Sequence, residues 1–153
     1  MDVISKVKSW VVPIIIAVVA LWSVWPAVRS PFNTLTIGNE DILIVWMLNQ
    51  NIQKIPDNLH SIFQGNILYP YKNTKAYLDL LVPSSIVSSI PVKITDKPLL
   101  AYNFTLFFGQ IATMLIIFLW WKELTGQTWP ALIGATALGL SQIRMHYFVH
   151  LQM

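Results

Sequence analysis

Residues 98–121, PLLAYNFTLFFGQIATMLIIFLWW, form a continuous stretch without a charged side chain. A helix of ~20 predominantly apolar residues is long enough to cross the hydrocarbon core of a bilayer. Across the whole chain of 153 residues, 55% are hydrophobic and 11% are charged, whereas about 25% of the residues in a typical soluble domain are charged. The stretch and the composition together predict an integral membrane protein.

Two further apolar stretches predict additional transmembrane helices, about three in all. Residues 9–28 follow Lys6 and Lys8, and residues 124–146 contain small residues that suit close packing between helices. The uncharged segment 80–92 is rich in serine and too short for a full span, so we expect it to be interfacial or re-entrant, and a count of four remains open. A cleaved signal peptide is disfavoured for the first stretch because no A-x-A site follows it.

The fold class predicted from these stretches is all-α integral membrane, with residues 1–153 in one membrane domain. Lys6 and Lys8 favour a cytoplasmic N-terminus, so residues 29–97 form a long extracytoplasmic loop. We expect this loop to consist of short helices lying along the membrane surface. They are EDILIVWMLNQNIQKI, with acids in its first turn, then NLHSIF with Asp57 as its N-cap, and KAYLDLLV, which carries Asp79.

The distribution of charged residues and the absence of cysteine exclude several classes of protein and of site. Ten Lys and Arg residues against seven Asp and Glu give a net charge of +3. No cluster of four or more basic residues is present, which excludes a nucleic-acid-binding patch, and the excess is explained by basic residues beside anionic lipid. The chain has no cysteine, so it contains no disulfide framework, thiol nucleophile or cysteine-built metal site.

Three acids are candidates for chemistry at the outer surface. Glu40 and Asp41 stand side by side at the start of the first predicted loop helix. They could cap that helix at the water boundary, or one of them could be a catalytic carboxylate or hold a divalent cation. Asp79 lies in the otherwise apolar YLDLLV. If this segment lies at membrane depth, an ionisable residue there indicates a function. If it lies at the level of the lipid headgroups, an aspartate costs little free energy and needs no functional explanation.

A basic cluster near the end of the chain is the second candidate. His146 and His150 are four residues apart, so on a helix they share one face, and Arg144 precedes them. The cluster could bind a metal, contact a lipid phosphate or extend out of the bilayer as a polar helix end. The predicted topology places it on the same outer side as the acids. There, a carboxylate could activate an acceptor while cations stabilise a departing phosphate.

Five segments in this order resemble the amino-terminal part of the GT-C superfold glycosyltransferases, specifically a bacterial polytopic group among them. The segments are GNEDILIVWML, LYPYKNTKAYLD, PLLAYN, WKELTG and SQIRMHYFVHLQ. The resemblance covers nearly the whole chain from Gly38 onward. It departs from the group's pattern at Asn39, where Asp is common, and at Gln142-Ile143, where a Pro-Tyr pair is usual.

This resemblance implies that a sugar is transferred from a polyprenyl-phosphate donor to an extracytoplasmic acceptor at the bacterial inner (plasma) membrane. Some relatives use a divalent metal ion, such as Mg or Mn. By position the resemblance implies a general base at Glu40 or Asp41, a second acid at Asp79, and a donor-phosphate cluster at Arg144, His146 and His150.

The length of the chain leaves two interpretations. GT-C enzymes have many more membrane helices than three, so the resemblance implies an incomplete chain that continues into further helices. The alternative is a small non-catalytic membrane subunit that packs against a partner membrane protein through the small residues of the third predicted span. A reading frame that continues into further spans would favour the enzyme, and co-purification with another membrane protein would favour the subunit.

Overall fold

The computed structural model describes residues 3–34, 39–55, 58–65, 67–68 and 70–146. This part of the chain is helical and has no strand, which confirms the all-α prediction for it. The α-helices are α1 (Val3–Ser23), α2 (Trp25–Arg29), α3 (Asn39–Lys54), α4 (Val82–Thr95), α5 (Pro98–Thr125), α6 (Thr128–Gly139) and α7 (Gln142–His146). Two short 3₁₀ helices, Leu59–Phe63 and Thr74–Tyr77, lie between α3 and α4.

The helices belong to two compact units. Unit 1 is drawn from Met1–Arg29 and Leu106–Phe148, and unit 2 from Ser30–Thr105 and Val149–Met153. Unit 1 therefore contains α1, α2, most of α5, α6 and α7. Unit 2 contains the predicted outer loop and the first residues of α5.

Helix α5 is the candidate membrane span of the described residues. It has 28 residues and is long and apolar enough to cross a bilayer. Only 28% of the most apolar 18-residue part of α5 is buried, whereas the core helix of a soluble protein would be mostly buried. Helix α5 extends past the predicted end of this span to Thr125, where Gly126 with φ +66° supplies the left-handed residue that commonly terminates a helix.

The prediction of three transmembrane helices is not confirmed, because the other two predicted spans are interrupted. In residues 9–28, α1 ends at Ser23 and α2 begins at Trp25. Pro26 has no N–H with which to continue the hydrogen-bond ladder of α1. In residues 124–146, α6 has 12 residues, about 18 Å of helix against a hydrocarbon core of about 30 Å, and it stops before α7.

The core of unit 1 is an apolar contact between α1, α5 and α6. Its side chains are spaced four apart on α1, as residues on one helix face must be. The buried members are Val12, Ile16, Ala20, Met114, Phe118, Ala131, Leu132 and Ala135. The opposite positions of α1 are apolar and exposed, among them Ile14, Val18 and Trp22, which is typical of a surface that faces lipid or a partner.

Small residues bring α6 close to α5. A Cβ atom placed on Gly134 would lie 2.0 Å from the ring of Trp121, and one on Gly139 would lie 2.4 Å from Cγ of Met114. Gln110 Nε2 also donates to the carbonyl of Gly139 at 2.9 Å, which satisfies a carbonyl at the end of α6. The small-residue face is thus occupied within unit 1.

Unit 2 is built on the packing of α3 against α4. The predicted helix EDILIVWMLNQNIQKI is present as α3, and the serine-rich segment predicted to be interfacial or re-entrant is the helix α4. Asn58 caps the first 3₁₀ helix by accepting from the backbone N–H of His60; the predicted cap, Asp57, lies outside the described residues. The second 3₁₀ helix ends at Tyr77, so the prediction that KAYLDLLV forms a helix carrying Asp79 is wrong.

Candidate functional site

The predicted general base lies in the first turn of α3. Asp41 is fully buried, at 0% exposure. It shares a face of the helix with Ile44 and Leu48, three and seven residues later, which are also buried. Ile42 and Leu43, on other faces, are exposed. Glu40 belongs to the same turn, and its side chain lies outside the described residues.

The second predicted acid is in a different environment. Asp79 is exposed and lies in the non-helical link between Tyr77 and α4. The chain leaves the second 3₁₀ helix after Tyr77, and the carboxylate of Asp79 is exposed to solvent, whereas Asp41 lies on the buried face of α3.

The predicted donor-phosphate cluster is described in part. Arg144 is partly buried on α7, and its Nη2 donates to Thr113 Oγ1 at 3.2 Å. Its Nε is buried with no hydrogen-bond partner among the described residues, so the guanidinium retains unused donor capacity. The side chain of His146 and the whole of His150 lie outside the described residues. The described residues contain no group of three or more potential metal ligands.

The acids and Arg144 belong to different units, Asp41 and Asp79 to unit 2 and Arg144 to unit 1. Their convergence on one surface therefore stays a prediction.

Asn103, in the segment PLLAYN, has a structural role in unit 2. Its side chain is fully buried, and Nδ2 donates to the carbonyls of Pro31 at 2.8 Å and Thr34 at 2.9 Å. Asn103 therefore holds the turn that follows α2 against the first part of α5. An amide is suited to this because its two N–H groups can serve two carbonyls.

A buried lysine network in unit 2 is the feature that the sequence reasoning missed. Lys75, in the second 3₁₀ helix, is fully buried, and its Nζ donates to Oδ1 of Asn51 at 2.5 Å. Asn51 Nδ2 in turn donates to the carbonyl of Leu80 at 2.5 Å and to Ser85 Oγ at 3.0 Å. One amide on α3 therefore joins the second 3₁₀ helix, the link after it and α4.

Besides Asn51, an aromatic ring and a second cation lie near Lys75. Its ammonium lies 5.8 Å from the centre of the Trp46 ring, within the range of a cation–π contact. Gly65 is close to its aliphatic stem, since a Cβ on Gly65 would lie 2.9 Å from Cγ of Lys75. Burial, with a smaller contribution from the positive charge of Lys54, lowers the pKa of Lys75 from 10.5 to about 8.

One sequence signal could have revealed this network. Asn51 follows Leu48 and Ile44 at helical spacing, so it falls on the buried face of α3. A buried amide requires partners. The sequence does not show which of the loop lysines is that partner, because this depends on the path of the chain between α3 and α4.

Stability is expected to depend on pH through Lys75. Between pH 8 and 10.5 the unfolded chain binds more protons than the folded chain, because the pKa is lowered only in the folded state. The free energy of unfolding should therefore rise as the pH increases through this window and be insensitive to Lys75 below it. Thermal unfolding in detergent, followed by circular dichroism, would measure the rise.

The matched control is Lys72, an exposed lysine three positions earlier. Lys75→Met should remove most of the rise, and Lys72→Met should keep it. An unmodified chain whose stability is flat from pH 8 to 10.5 would contradict the assignment, as would a Lys75→Met variant that keeps the full slope.

The comparisons with known proteins return no relative. No protein-family model, curated protein or solved structure matches the chain.

Proposed function

We propose that this chain is the N-terminal part of a membrane glycosyltransferase of the GT-C type. It transfers a sugar from a polyprenyl-phosphate donor to an acceptor on the extracytoplasmic side of a bacterial inner membrane, with its N-terminus in the cytoplasm. The support from the sequence is the ordered set of five family-like segments. The support from the fold is an all-α chain with a helix long enough to cross a bilayer.

The burial of Asp41 is the observation that favours this function most. Helix α3 places Asp41 on its packed face while leaving Ile42 and Leu43 exposed. A carboxylate within hydrogen-bond reach of an acceptor hydroxyl can take its proton as the new bond to the sugar forms. In the proposed reaction Asp41, or Glu40 beside it, is the general base.

The remaining predicted residues have supporting roles in this reaction. Arg144 has a guanidinium N–H without a hydrogen-bond partner among the described residues, and a phosphate oxygen of the donor would accept from it. His146 and His150 would complete this phosphate site. Asp79, which is exposed, would be the second acid of the reaction. A divalent ion such as Mg or Mn would be held by Glu40 or Asp41.

A non-catalytic subunit is the second candidate function. The small residues predicted to bind its partner already pack α6 against α5 in unit 1, so a partner would have to use another surface. The exposed apolar residues of α1, including Ile14 and Val18, are available for that contact. The same residues would face lipid in the glycosyltransferase.

The test is the loss of both neighbouring carboxylates. In the complete protein, Glu40→Gln with Asp41→Asn should reduce sugar transfer by about 10²- to 10⁴-fold, the usual contribution of a general base. Transfer would be measured in membranes supplied with a panel of radiolabelled polyprenyl-phosphate sugars.

The matched control is Asp96→Asn. Asp96 is an exposed acid of unit 2 with φ +54°, a conformation that asparagine also tolerates. This variant should transfer at the unmodified rate. Size-exclusion chromatography in detergent would establish that both variants are folded, and normal transfer by a folded double variant would rule out the carboxylates as the base.

A further inference from the structure

Helix α4 in unit 2 buries two of its four serines and exposes its three isoleucines. Ser85 and Ser88 are 1% and 0% exposed, whereas Ile86, Ile90 and Ile94 are 59%, 58% and 78% exposed. The three isoleucines are spaced four apart, so they form one stripe along the helix. Soluble proteins bury such a face, which indicates that the stripe faces an apolar medium.

A groove between α3 and α4 adjoins this stripe. It encloses about 200 Å³ and is lined by Ile52, Ile55, Ser85, Ile86, Ser89 and Lys93. Ile86 belongs both to the groove and to the exposed stripe, so the two apolar surfaces are continuous. A ligand chain could therefore pass from one to the other without crossing a polar surface.

The lining residues define the chemistry of the occupant. Ser85 Oγ already donates to the carbonyl of Leu81 and accepts from Asn51, so the inner part of the groove offers mainly isoleucine side chains. Lys93 is exposed and has no ion pair among the described residues. The occupant that fits has an apolar chain and an anionic group at one end.

The size of the groove limits how much of the occupant it holds. Pockets that enclose a whole drug-sized ligand measure about 300–1,000 Å³. A groove of about 200 Å³ holds part of a molecule, such as a segment of one hydrocarbon chain, while the rest lies along the isoleucine stripe.

We propose that this groove binds one acyl chain of an anionic membrane phospholipid. The chain lies between Ile52, Ile55 and Ile86, the phosphate pairs with the ammonium of Lys93, and the isoleucine stripe rests in the same lipid leaflet. A lysine at headgroup level attracts anionic lipid, and its aliphatic stem can lie along apolar surface while the charge reaches water. This lipid site requires nothing of the proposed sugar transfer.

Native mass spectrometry of the full chain in detergent tests the site. The chain would be titrated with phosphatidylglycerol and, in parallel, with phosphatidylcholine. We expect one phosphatidylglycerol to bind in preference to phosphatidylcholine. Lys93→Gln should weaken phosphatidylglycerol binding about fivefold, as expected for one lysine near a lipid phosphate, and Ser89→Trp should abolish it by filling the groove.

The controls separate this site from general attraction to lipid. Lys72→Gln removes an exposed lysine of the same unit, and Gln53→Trp adds the same ring as Ser89→Trp at an exposed position of α3 that does not line the groove; both should bind like the unmodified chain. Circular dichroism would confirm that the variants are folded. Equal binding of the two lipids, displacement of the lipid by inorganic phosphate, or unmodified binding by Lys93→Gln or folded Ser89→Trp would overturn the proposal.

Discussion

Gly134→Ala is expected to destabilise unit 1 by about 3 kcal/mol, the upper part of the range for overpacking a well-packed contact. The added Cβ would lie 2.0 Å from Cζ3 and 2.1 Å from Cε3 of Trp121, far inside van der Waals contact. The ring is rigid and can relieve the clash only by leaving its position against α6. Unfolding in detergent, followed by circular dichroism, would measure the loss.

Gly109 provides the matched control for Gly134. It lies in the same helix as Trp121, and a Cβ added there would meet nothing within 4 Å. Gly109→Ala should therefore be neutral or stabilise by up to about 1 kcal/mol, since alanine is the better helix former. Trp121→Ala should remove most of the cost of Gly134→Ala, a coupling that a double-mutant cycle measures. Equal stability of the two alanine variants would show that α5 and α6 do not pack as described.

Asn51→Leu is expected to destabilise unit 2 by about 3 kcal/mol. The substitution leaves the ammonium of Lys75 without its acceptor and the carbonyl of Leu80 without its donor. A buried polar group left without a partner costs about 1–3 kcal/mol, and a charged one costs more. Thermal and denaturant unfolding in detergent would show this as a lowered midpoint.

The control for Asn51 is Gln53→Leu, an exposed amide on the same helix, which should change stability little. Adding Lys75→Met to Asn51→Leu should recover part of the loss, because the charge that lacks an acceptor is removed with it. If Asn51→Leu is as stable as Gln53→Leu, or if Lys75→Met brings no recovery, the hydrogen bond between Asn51 and Lys75 does not contribute in the way described.

Much of the fold could be predicted from local patterns. The uncharged stretch from Pro98 to Trp121 predicts a helix, and α5 covers it. The helix at α3 follows from its sequence in the same way. Hydrophobicity along the chain did not predict where the helices end. Two of the predicted spans are each divided into two helices, by a break at Val24 and by a break after Gly139. Pro26 was a readable signal for the first break, whereas the second coincides with a contact to Gln110 on another helix.

The candidate site was less predictable than the fold. The sequence singles out Glu40 and Asp41 because adjacent acids are conspicuous in a chain with few charges, and the burial of Asp41 follows from its register with Ile44 and Leu48. The exposure of Asp79 was not predictable, because it depends on the 3₁₀ helix ending at Tyr77.

By itself, the amino-acid sequence determined that this protein is helical and that residues 98–121 form a segment able to cross a membrane. Both follow from hydrophobicity and spacing along one segment. Only the tertiary structure decided that Lys75 is buried against Asn51, and that α4 buries Ser85 and Ser88 while its isoleucines are exposed. Whether a lysine or a serine is buried cannot be predicted from the residue itself, because its burial depends on which distant segment supplies its hydrogen-bond partner.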